Sequence, residues 1–219
     1  MNISPLDPLR LDVSLWSADL ANLERDIRRL EPIADSFHLD ACDGHYAPTL
    51  LFFPDLVARV RQLTAKPLHL HLMATRPMDL QPAFLDAGVD AVTIPVEMGK
   101  RVWQVLEHVR GKGKLAGISL ELDSDVDLAK PYRSKVDTVV LMGTAMGIKG
   151  CGLDDRACDR MAAMRSLVEG YRICVTADGG IRENTVPLLR AAGANAIVPG
   201  SLICNADDPA ATAAWLRSL

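Results

Sequence analysis

The stretch Ala87-Gly88-Val89-Asp90-Ala91-Val92 returns later in the chain as Ala192-Gly193-Ala194-Asn195-Ala196-Ile197. Each copy predicts the end of a helix, a glycine that takes the left-handed backbone conformation, and the start of a new strand. Gly111, directly after a predicted helix over Val102–Arg110, is expected to do the same. These repeated junctions indicate that the chain is built from successive αβ units around a parallel sheet.

Outward from these junctions, short apolar runs alternate with amphipathic segments along the whole chain. The apolar runs predict the strands Arg10–Ser14, Phe37–Asp40, Leu68–Met73, Ala91–Val96, Leu115–Leu120, Thr138–Met142, Ile173–Asp178 and Ala196–Pro199. The amphipathic segments predict helices that include Leu20–Ile33, Asp55–Leu63, Val102–Arg110, Asp154–Val168 and Asn184–Ala192. This pattern favours an α/β fold, a (β/α)8 TIM barrel, with a doubly wound open sheet as the alternative. No linker or shift in composition is present, so a single domain is expected over residues 1–219.

The bulk composition is that of an ordinary globular protein. Apolar residues make up 49% of the chain, which is enough for a core without disulfides. The net charge of −4, without blocks of like charge, gives no sign of a nucleic-acid or membrane surface. Met1–Pro8 lacks the apolar segment of a signal peptide, and no apolar run approaches a membrane span. The five cysteines have no C-x-x-C spacing, which favours reduced thiols in a cytoplasm.

Side chains with metal-binding chemistry lie in three of the predicted strands. Residues i and i+2 of a strand point to the same face, so His38 and Asp40 should project together. The next strand carries His69 and His71 on one face, and the seventh strand ends at Asp178. Because catalytic groups of barrels gather at the carboxyl ends of the strands, we expect a cluster there. Its predicted members are His38, Asp40, His71 and Asp178. Two imidazoles and two carboxylates suit one divalent metal ion, Zn, Mn, Fe or Co.

The chain resembles the ribulose-phosphate 3-epimerase family in motifs that run in order along nearly its whole length. His38–Pro48, with the sequence HLDACDGHYAP, is similar to the family signature H-x-D-x-M-D-G-x-x-x-P. The other matches are Ser14–Asp19 to the opening Ser-x-x-Ala-Asp-type segment, His71–Met73 to H-L-M, Asp178–Ile181 to D-G-G-I, and Gly200-Ser201 to the late G-S. The distinctive second-strand motif identifies the chain as a member of this family.

The resemblance implies that the four clustered side chains ligate the metal, and that Asp40 and Asp178 are also the catalytic acid and base. The substrate would be a small sugar phosphate, with ribulose 5-phosphate leading, inverted at C3 to xylulose 5-phosphate as in pentose phosphate metabolism. The C3 proton is weakly acidic, and a metal held by the C2 oxygen would stabilise the enediolate. Both carboxylates then need pKa values moved towards neutrality. The resemblance also implies a homo-oligomer.

Ten residues are predicted to contact the substrate. They are Ser14, His71, Met73, Met142, Gly147, Gly150, Gly179, Gly180, Gly200 and Ser201. The glycine pairs after the seventh and eighth strands occupy the usual phosphate corner of such barrels. There, backbone N–H groups can approach an anion, and a helix N-terminus favours negative charge.

Several positions depart from the family pattern, mostly in loops on the substrate side. Cys42 replaces a family methionine, and His69 stands where an aspartate is common. The altered loops are Pro95-Val96-Glu97 for H-x-E, Leu120-Glu121-Leu122 for L-N-P, and Ala145–Cys151, which gains Lys149, for N-P-G-F-G-G-Q. Intact metal ligands beside altered loops indicate the same reaction on a substrate that the sequence does not identify.

The same residues are also compatible with other functions. The substrate could be another ketose phosphate, such as a tetrulose phosphate or allulose 6-phosphate. The chain could instead be an aldose–ketose isomerase, a decarboxylase or a lyase, although retention of all four ligands argues against a metal-free decarboxylase. A catalytically inactive phosphate-binding barrel is the remaining alternative, and the altered loops permit it.

Overall fold

Nine strands lie within residues 8–219, the part of the chain that the computed structural model describes. They are β1 (Arg10–Ser14), β2 (Ser36–Asp43), β3 (Leu50–Leu51), β4 (Leu68–Met73), β5 (Ala91–Pro95), β6 (Leu115–Leu120), β7 (Thr138–Met142), β8 (Cys174–Asp178) and β9 (Ala196–Ile197). All except β3 run parallel, and β1 pairs with both β2 and β9, which closes the sheet. The short β3 runs antiparallel to the end of β2. The (β/α)8 barrel is therefore confirmed, and the open doubly wound sheet is wrong.

The connections between the strands are mainly helical. The α-helices are α1 (Leu23–Leu30), α2 (Pro54–Leu63), α3 (Pro77–Asp86), α4 (Arg101–Gly111), α5 (Ala157–Leu167), α6 (Val186–Ala191), α7 (Ser201–Cys204) and α8 (Pro209–Ser218). Short 3-10 helices cover Leu15–Ser17, Val96–Met98 and Val126–Tyr132, the last in place of an α-helix between β6 and β7. Within residues 8–219 no helix combines the length and the apolar character that crossing a bilayer requires.

The glycine junctions that predicted the fold are present at two of three positions. Gly88 and Gly193 follow α3 and α6 with φ angles of 100° and 108°, in the region that favours glycine. The expectation for Gly111 is wrong, because α4 continues through that residue. Gly113, two residues later, takes the left-handed conformation with φ 72° and turns the chain into β6.

Strand alternation separates apolar from polar side chains. One face of β1, β2 and β4 packs in the main core with the helices; its residues include Leu11, Val13, Phe37, Leu39, Leu68, Leu70 and Leu72. The other face carries Asp12, Ser14, His38, Asp40, His69 and His71, all buried. Hydrogen bonds join this polar face to strands that are not neighbours, from β4 to β1 and from β4 to β6. The polar face therefore points into the barrel.

A hydrogen-bonding unit repeats four times around the amino-terminal end of the barrel. In each unit, an Asp or Asn lies just before a barrel strand. Its side chain accepts a backbone N–H from the neighbouring earlier strand. It also contacts an arginine from the helix that leads into that earlier strand; for β1 this helix is α8, at the other end of the chain. Each acceptor and its two donors are Asp35 with Leu11 and Arg217, Asp90 with Leu68 and Arg61, Asp137 with Ala116 and Arg110, and Asn195 with Val175 and Arg165. The echo between Asp90 and Asn195 in the sequence is therefore half of a fourfold structural repeat.

This repeat predicts a stability loss at Asn195, whose side chain is 2% exposed and accepts the Val175 N–H at 3.1 Å. Asn195→Ala leaves that buried N–H without an acceptor, so the free energy of unfolding should fall by about 1–3 kcal/mol. Urea denaturation measures the change. Asn205→Ala, at an exposed position after α7, is the control and should stay within about 0.5 kcal/mol. Equal urea midpoints for the two variants would contradict this role of the repeat.

Candidate active site

Four side chains from three strands meet inside the carboxyl end of the barrel. His38 and Asp40 lie on β2, His71 on β4, and Asp178 at the end of β8. One nitrogen or oxygen of each lies within 4.8 Å of the others. Asp40 Oδ1 is 3.3 Å from His38 Nε2 and 3.5 Å from His71 Nδ1, while Asp178 Oδ2 is 3.8 Å from both nitrogens. The structure thus brings together the side chains that the sequence pattern placed at one point.

The inner nitrogens of the two histidines fit a metal ion. His38 Nε2 and His71 Nδ1 are buried, and neither has a hydrogen-bond partner among the residues from 8 onwards. A buried polar atom without a partner costs about 1–3 kcal/mol. Two imidazole nitrogens facing two carboxylate oxygens form a donor set suited to a divalent cation. A cation at this point would satisfy all four groups at once.

The outer nitrogens are held by hydrogen bonds that the sequence did not predict. Asp12 Oδ2 accepts from His38 Nδ1 at 2.9 Å and from His69 Nδ1 at 2.6 Å. Because an ionised carboxylate only accepts, His38 carries a proton on Nδ1, and its Nε2 faces the cluster. His71 Nε2 lies 3.0 Å from the Ser119 hydroxyl. Asp12 could have been found from the sequence, because it shares a strand face with Ser14.

A chain of hydrogen bonds continues from Asp12 into the barrel. The Ser36 hydroxyl donates to Asp12 Oδ1 at 2.6 Å, and His69 Nε2 lies 2.7 Å from the Thr93 hydroxyl. His69 therefore supports Asp12 and is not one of the four clustered side chains. The carboxylate that orients His38 thus comes from β1.

The two carboxylates of the cluster have pKa values shifted in opposite directions. Burial opposes ionisation of Asp40, but the charge of His38 and the close approach of both imidazole rings hold the pKa of Asp40 well below its usual range. Burial raises the pKa of Asp178 to about 7; the His38 charge opposes this rise, and the nearby Asp40 and Asp12 charges add to it. Such a separation between paired carboxyl groups is typical of acid/base sites.

A cavity of about 460 Å³ opens above the carboxylates. Every residue predicted to contact the substrate lines this cavity except His71, which is buried behind it. The lining also includes residues outside that set of ten, among them Trp16, Ser17, Thr144, Lys149 and Arg182. Trp16 and Ser17 lie in the 3-10 helix after β1, a position that the sequence pattern could not place relative to the eighth strand.

The glycines of the predicted phosphate corner are also closely packed. A Cβ atom on Gly180 would lie 2.7 Å from the Leu153 backbone, and one on Gly200 would lie 2.5 Å from the Ser17 hydroxyl. The following helix, α7, is one turn long. The dipole of α7 is therefore weaker than that of a longer helix. An anion at this corner would depend more on individual backbone N–H groups and side chains than on the helix dipole.

Two loops that depart from the family pattern, after β5 and β6, bond to each other and to the loop after β2. The Tyr46 hydroxyl donates to Glu121. Glu97 Oε1 accepts from the Glu121 backbone N–H at 2.8 Å and from the Ser124 hydroxyl at 2.5 Å. The loops after β2, β5 and β6 are thereby joined on the side of the mouth away from the phosphate corner. Cys42 packs there against Met73, with a sulfur–sulfur distance of 3.9 Å.

Comparison with known proteins identifies the family. The profile of the Ribulose-phosphate 3 epimerase family matches residues 10–204. Ribulose-phosphate 3-epimerase of Treponema pallidum (strain Nichols) is 34% identical over 86% of this chain and 88% of its own. The cytoplasmic isoform of Oryza sativa subsp. japonica is 31% identical over 93% and 91%, respectively. The chain therefore belongs to the ribulose-phosphate 3-epimerase family, whose members are isomerases acting on carbohydrates.

A solved structure is similar in fold. The crystal structure of 3-hexulose-6-phosphate synthase superposes with a TM-score of 0.67, and the match covers 96% of this chain and 98% of that one. The sequence identity is 18%, so the similarity supports the barrel architecture alone.

The contacts of Asp12 predict a loss of metal affinity when this carboxylate is removed. Asp12→Asn takes away the charge that orients His38, and such outer partners are worth about 10–100-fold in metal affinity. Titration with Zn²⁺ or Mn²⁺, followed calorimetrically, measures the effect. Asp55→Asn, at an exposed position on α2, is the matched control and should bind as the unmodified protein does. Unchanged affinity in Asp12→Asn would show that Asp12 does not position a ligand.

Proposed function

We propose that the chain is a metal-dependent epimerase that inverts C3 of a ketose phosphate, with ribulose 5-phosphate and xylulose 5-phosphate as its epimers. One observation carries the proposal. Two carboxylates face two histidine nitrogens that lack partners, at the base of a cavity lined by nearly all of the predicted substrate residues. Membership of the epimerase family supports the reaction class.

His38, Asp40, His71 and Asp178 are the proposed ligands of one divalent metal ion. When bound, the ion supplies positive charge that offsets negative charge developing on the substrate oxygens beside the reacting carbon. His38 and His71 act as neutral ligands, oriented from behind by Asp12 and Ser119. The donor set suits Zn, Mn, Fe or Co.

Asp40 and Asp178 are the proposed acid/base pair. Their strands, β2 and β8, are separated in the sheet by β1 and β9, so the two carboxylates approach the cluster from different directions. One carboxylate removes the C3 proton from one face of the substrate, and the other delivers a proton to the opposite face of the planar enediolate. Ser14 donates a hydrogen bond to Asp40 Oδ2 at 3.2 Å and helps to hold that carboxylate in place.

The substrate phosphate is proposed to bind at the far end of the cavity. Gly180 follows β8, and Gly200 and Ser201 follow β9, so their backbone N–H groups are available at one corner of the mouth. Met73 and Met142 also line the cavity. We expect the enzyme to act as a homo-oligomer in the cytoplasm.

A four- or six-carbon ketose phosphate is the second candidate substrate. The observation that favours it is the hydrogen-bonded set of Tyr46, Glu97 and Glu121. This set includes two loops that differ from the family pattern, on the side of the mouth away from the phosphate corner. A change at that side would affect recognition of the sugar chain more than recognition of the phosphate.

A panel of ketose phosphates tests the proposed reaction. We expect the metal-loaded protein to convert ribulose 5-phosphate into xylulose 5-phosphate, with tetrulose 4-phosphates and allulose 6-phosphate tested beside it. NMR identifies the product. An aldose product would show an isomerase that moves the carbonyl, and no turnover of any ketose phosphate by the metal-loaded protein would contradict the proposal.

The two-carboxylate mechanism predicts specific losses. Asp40→Asn and Asp178→Asn should each lower kcat by about 10²–10⁴-fold, because each removes one of the two proton carriers. In heavy water, the unmodified enzyme should introduce deuterium at C3 of the product, and a variant lacking one carboxylate should still exchange the C3 proton of one epimer. Asp207→Asn, at an exposed position, is the control. A near-normal epimerisation rate for Asp178→Asn with its metal in place would remove Asp178 from the mechanism.

A further inference from the structure

Two basic side chains line the cavity at the predicted phosphate corner. Lys149 lies in the loop after β7, and Arg182 follows the Asp178–Ile181 motif after β8. Both line the same cavity as Gly180 and Gly200. Within the described part of the chain, neither basic group lies within 4 Å of a carboxylate oxygen, and the acidic residues in the cavity lining are the two of the cluster. The corner therefore holds two positive charges without acidic partners.

Both side chains are held in place by neutral carbonyl groups. Lys149 Nζ donates to the Trp16 carbonyl at 3.0 Å and lies 5.9 Å from the centre of the Trp16 ring. Arg182 Nη1 donates to its neighbouring Ile181 carbonyl at 2.9 Å. A lysine ammonium has three N–H donors and an arginine guanidinium has five, so each group retains donors for an anion. The tryptophan and the carbonyl groups fix the positions of the charges without neutralising them.

The loop that carries Lys149 is itself anchored across the mouth. The Thr49 hydroxyl donates to the Gly147 carbonyl at 2.9 Å, and Gly147 packs so closely on Ala47 that a Cβ atom would lie 2.4 Å from the Ala47 side chain. With the bond from Lys149 to Trp16, this loop contacts the loops after both β1 and β2. The loop that places Lys149 in the cavity lining is therefore held by contacts with two other loops.

The charges of the site balance with one phosphate. A divalent cation would cancel the two carboxylates of the cluster, which leaves the charges of Lys149 and Arg182 in the cavity. A phosphate monoester carries about −1.5 to −2 at pH 7. One phosphate group therefore accounts for both basic residues. The overall charge of the chain, −4, gives no general attraction for an anion, so the local charges must provide it.

We infer that Lys149 and Arg182 are phosphate-binding residues that select phosphorylated over unphosphorylated substrates. This inference rests on the proposed function for the identity of the sugar, but it concerns the anion alone. Backbone N–H groups at the glycine corner position the phosphate, and the two side chains supply charge-assisted hydrogen bonds to it. Affinity for the phosphate should consequently fall with increasing salt.

The test uses the metal-loaded protein and inorganic phosphate as the probe. Lys149→Met and Arg182→Met should each weaken phosphate binding, measured by calorimetry, by about tenfold or more, the loss expected for one charge-assisted contact. Metal content should stay at the unmodified level. Lys149→Arg should restore most of the affinity, and Lys112→Met, at an exposed position after α4, should have no effect. With ribulose 5-phosphate, KM should rise in the Met variants while kcat changes by less than about threefold, as for a contact made equally in ground and transition states.

Several outcomes decide the inference. It is overturned if phosphate binds the unmodified protein and both Met variants with equal affinity, or does not bind the unmodified protein at all. Weaker phosphate binding in the Met variants supports it even if no ketose phosphate is converted, and in that case only the proposed epimerase function fails. A loss of metal or of the folded state in Lys149→Met is distinguished by Lys149→Arg, which keeps the charge and should keep the affinity.

Discussion

His38 Nε2 and His71 Nδ1 are buried inside the barrel and face two carboxylates without making hydrogen bonds to them. Leaving two such nitrogens without partners costs free energy, and placing two carboxylates beside them costs more, because burial disfavours charge. The surrounding structure maintains this arrangement from behind: Asp12 and Ser119 fix the outer nitrogens, and Ser14 holds Asp40. The simplest physical reason to retain such a cluster is that a cation and a substrate satisfy it.

Closure of the barrel makes this cluster feasible. The parallel strands alternate apolar residues towards the helices with polar residues towards the interior, and the pairing of β1 with β2 and β9 brings the first and last strands together. Asp178 on β8 can then reach the histidines of β2 and β4. The fourfold unit of Asp or Asn with arginine stabilises the opposite end of the barrel. Stability and chemistry therefore occupy opposite ends, as is usual for this architecture.

Much of this could be predicted from the sequence, because it depends on local periodicity. The bounds of β1, β4, β6 and β7 and the shared face of His38 and Asp40 follow directly from strand alternation. The convergence of strand ends at the mouth of a barrel added Asp178 and the glycine corner to the same site. The predicted helix end at Gly111 was wrong, because α4 includes Gly111 and a different glycine, Gly113, takes the left-handed conformation two residues later.

Contacts between distant loops could not be predicted in this way. The bond from Lys149 to the Trp16 carbonyl and the bond from Tyr46 to Glu121 join residues far apart in the chain. Neither pair has a periodic or motif signal, because loop conformation is determined by packing against other loops. The role of Asp12 could be predicted only in part. Strand alternation predicts the face on which its side chain lies, but not its hydrogen bonds to His38 and His69.

We propose that His38 Nε2 and His71 Nδ1, with Asp40 and Asp178, hold a catalytic metal ion. X-ray absorption spectroscopy of the zinc-loaded protein tests it most directly, because sulfur and nitrogen ligands differ in distance and Cys42 and Met73 lie close to the cluster. We predict nitrogen and oxygen ligands at about 2.0–2.2 Å, including two imidazoles, and no sulfur at about 2.3 Å. The spectrum should lose its imidazole contribution in a His38→Ala, His71→Ala double variant. A sulfur ligand, or an unchanged spectrum in that variant, would exclude this set of metal ligands.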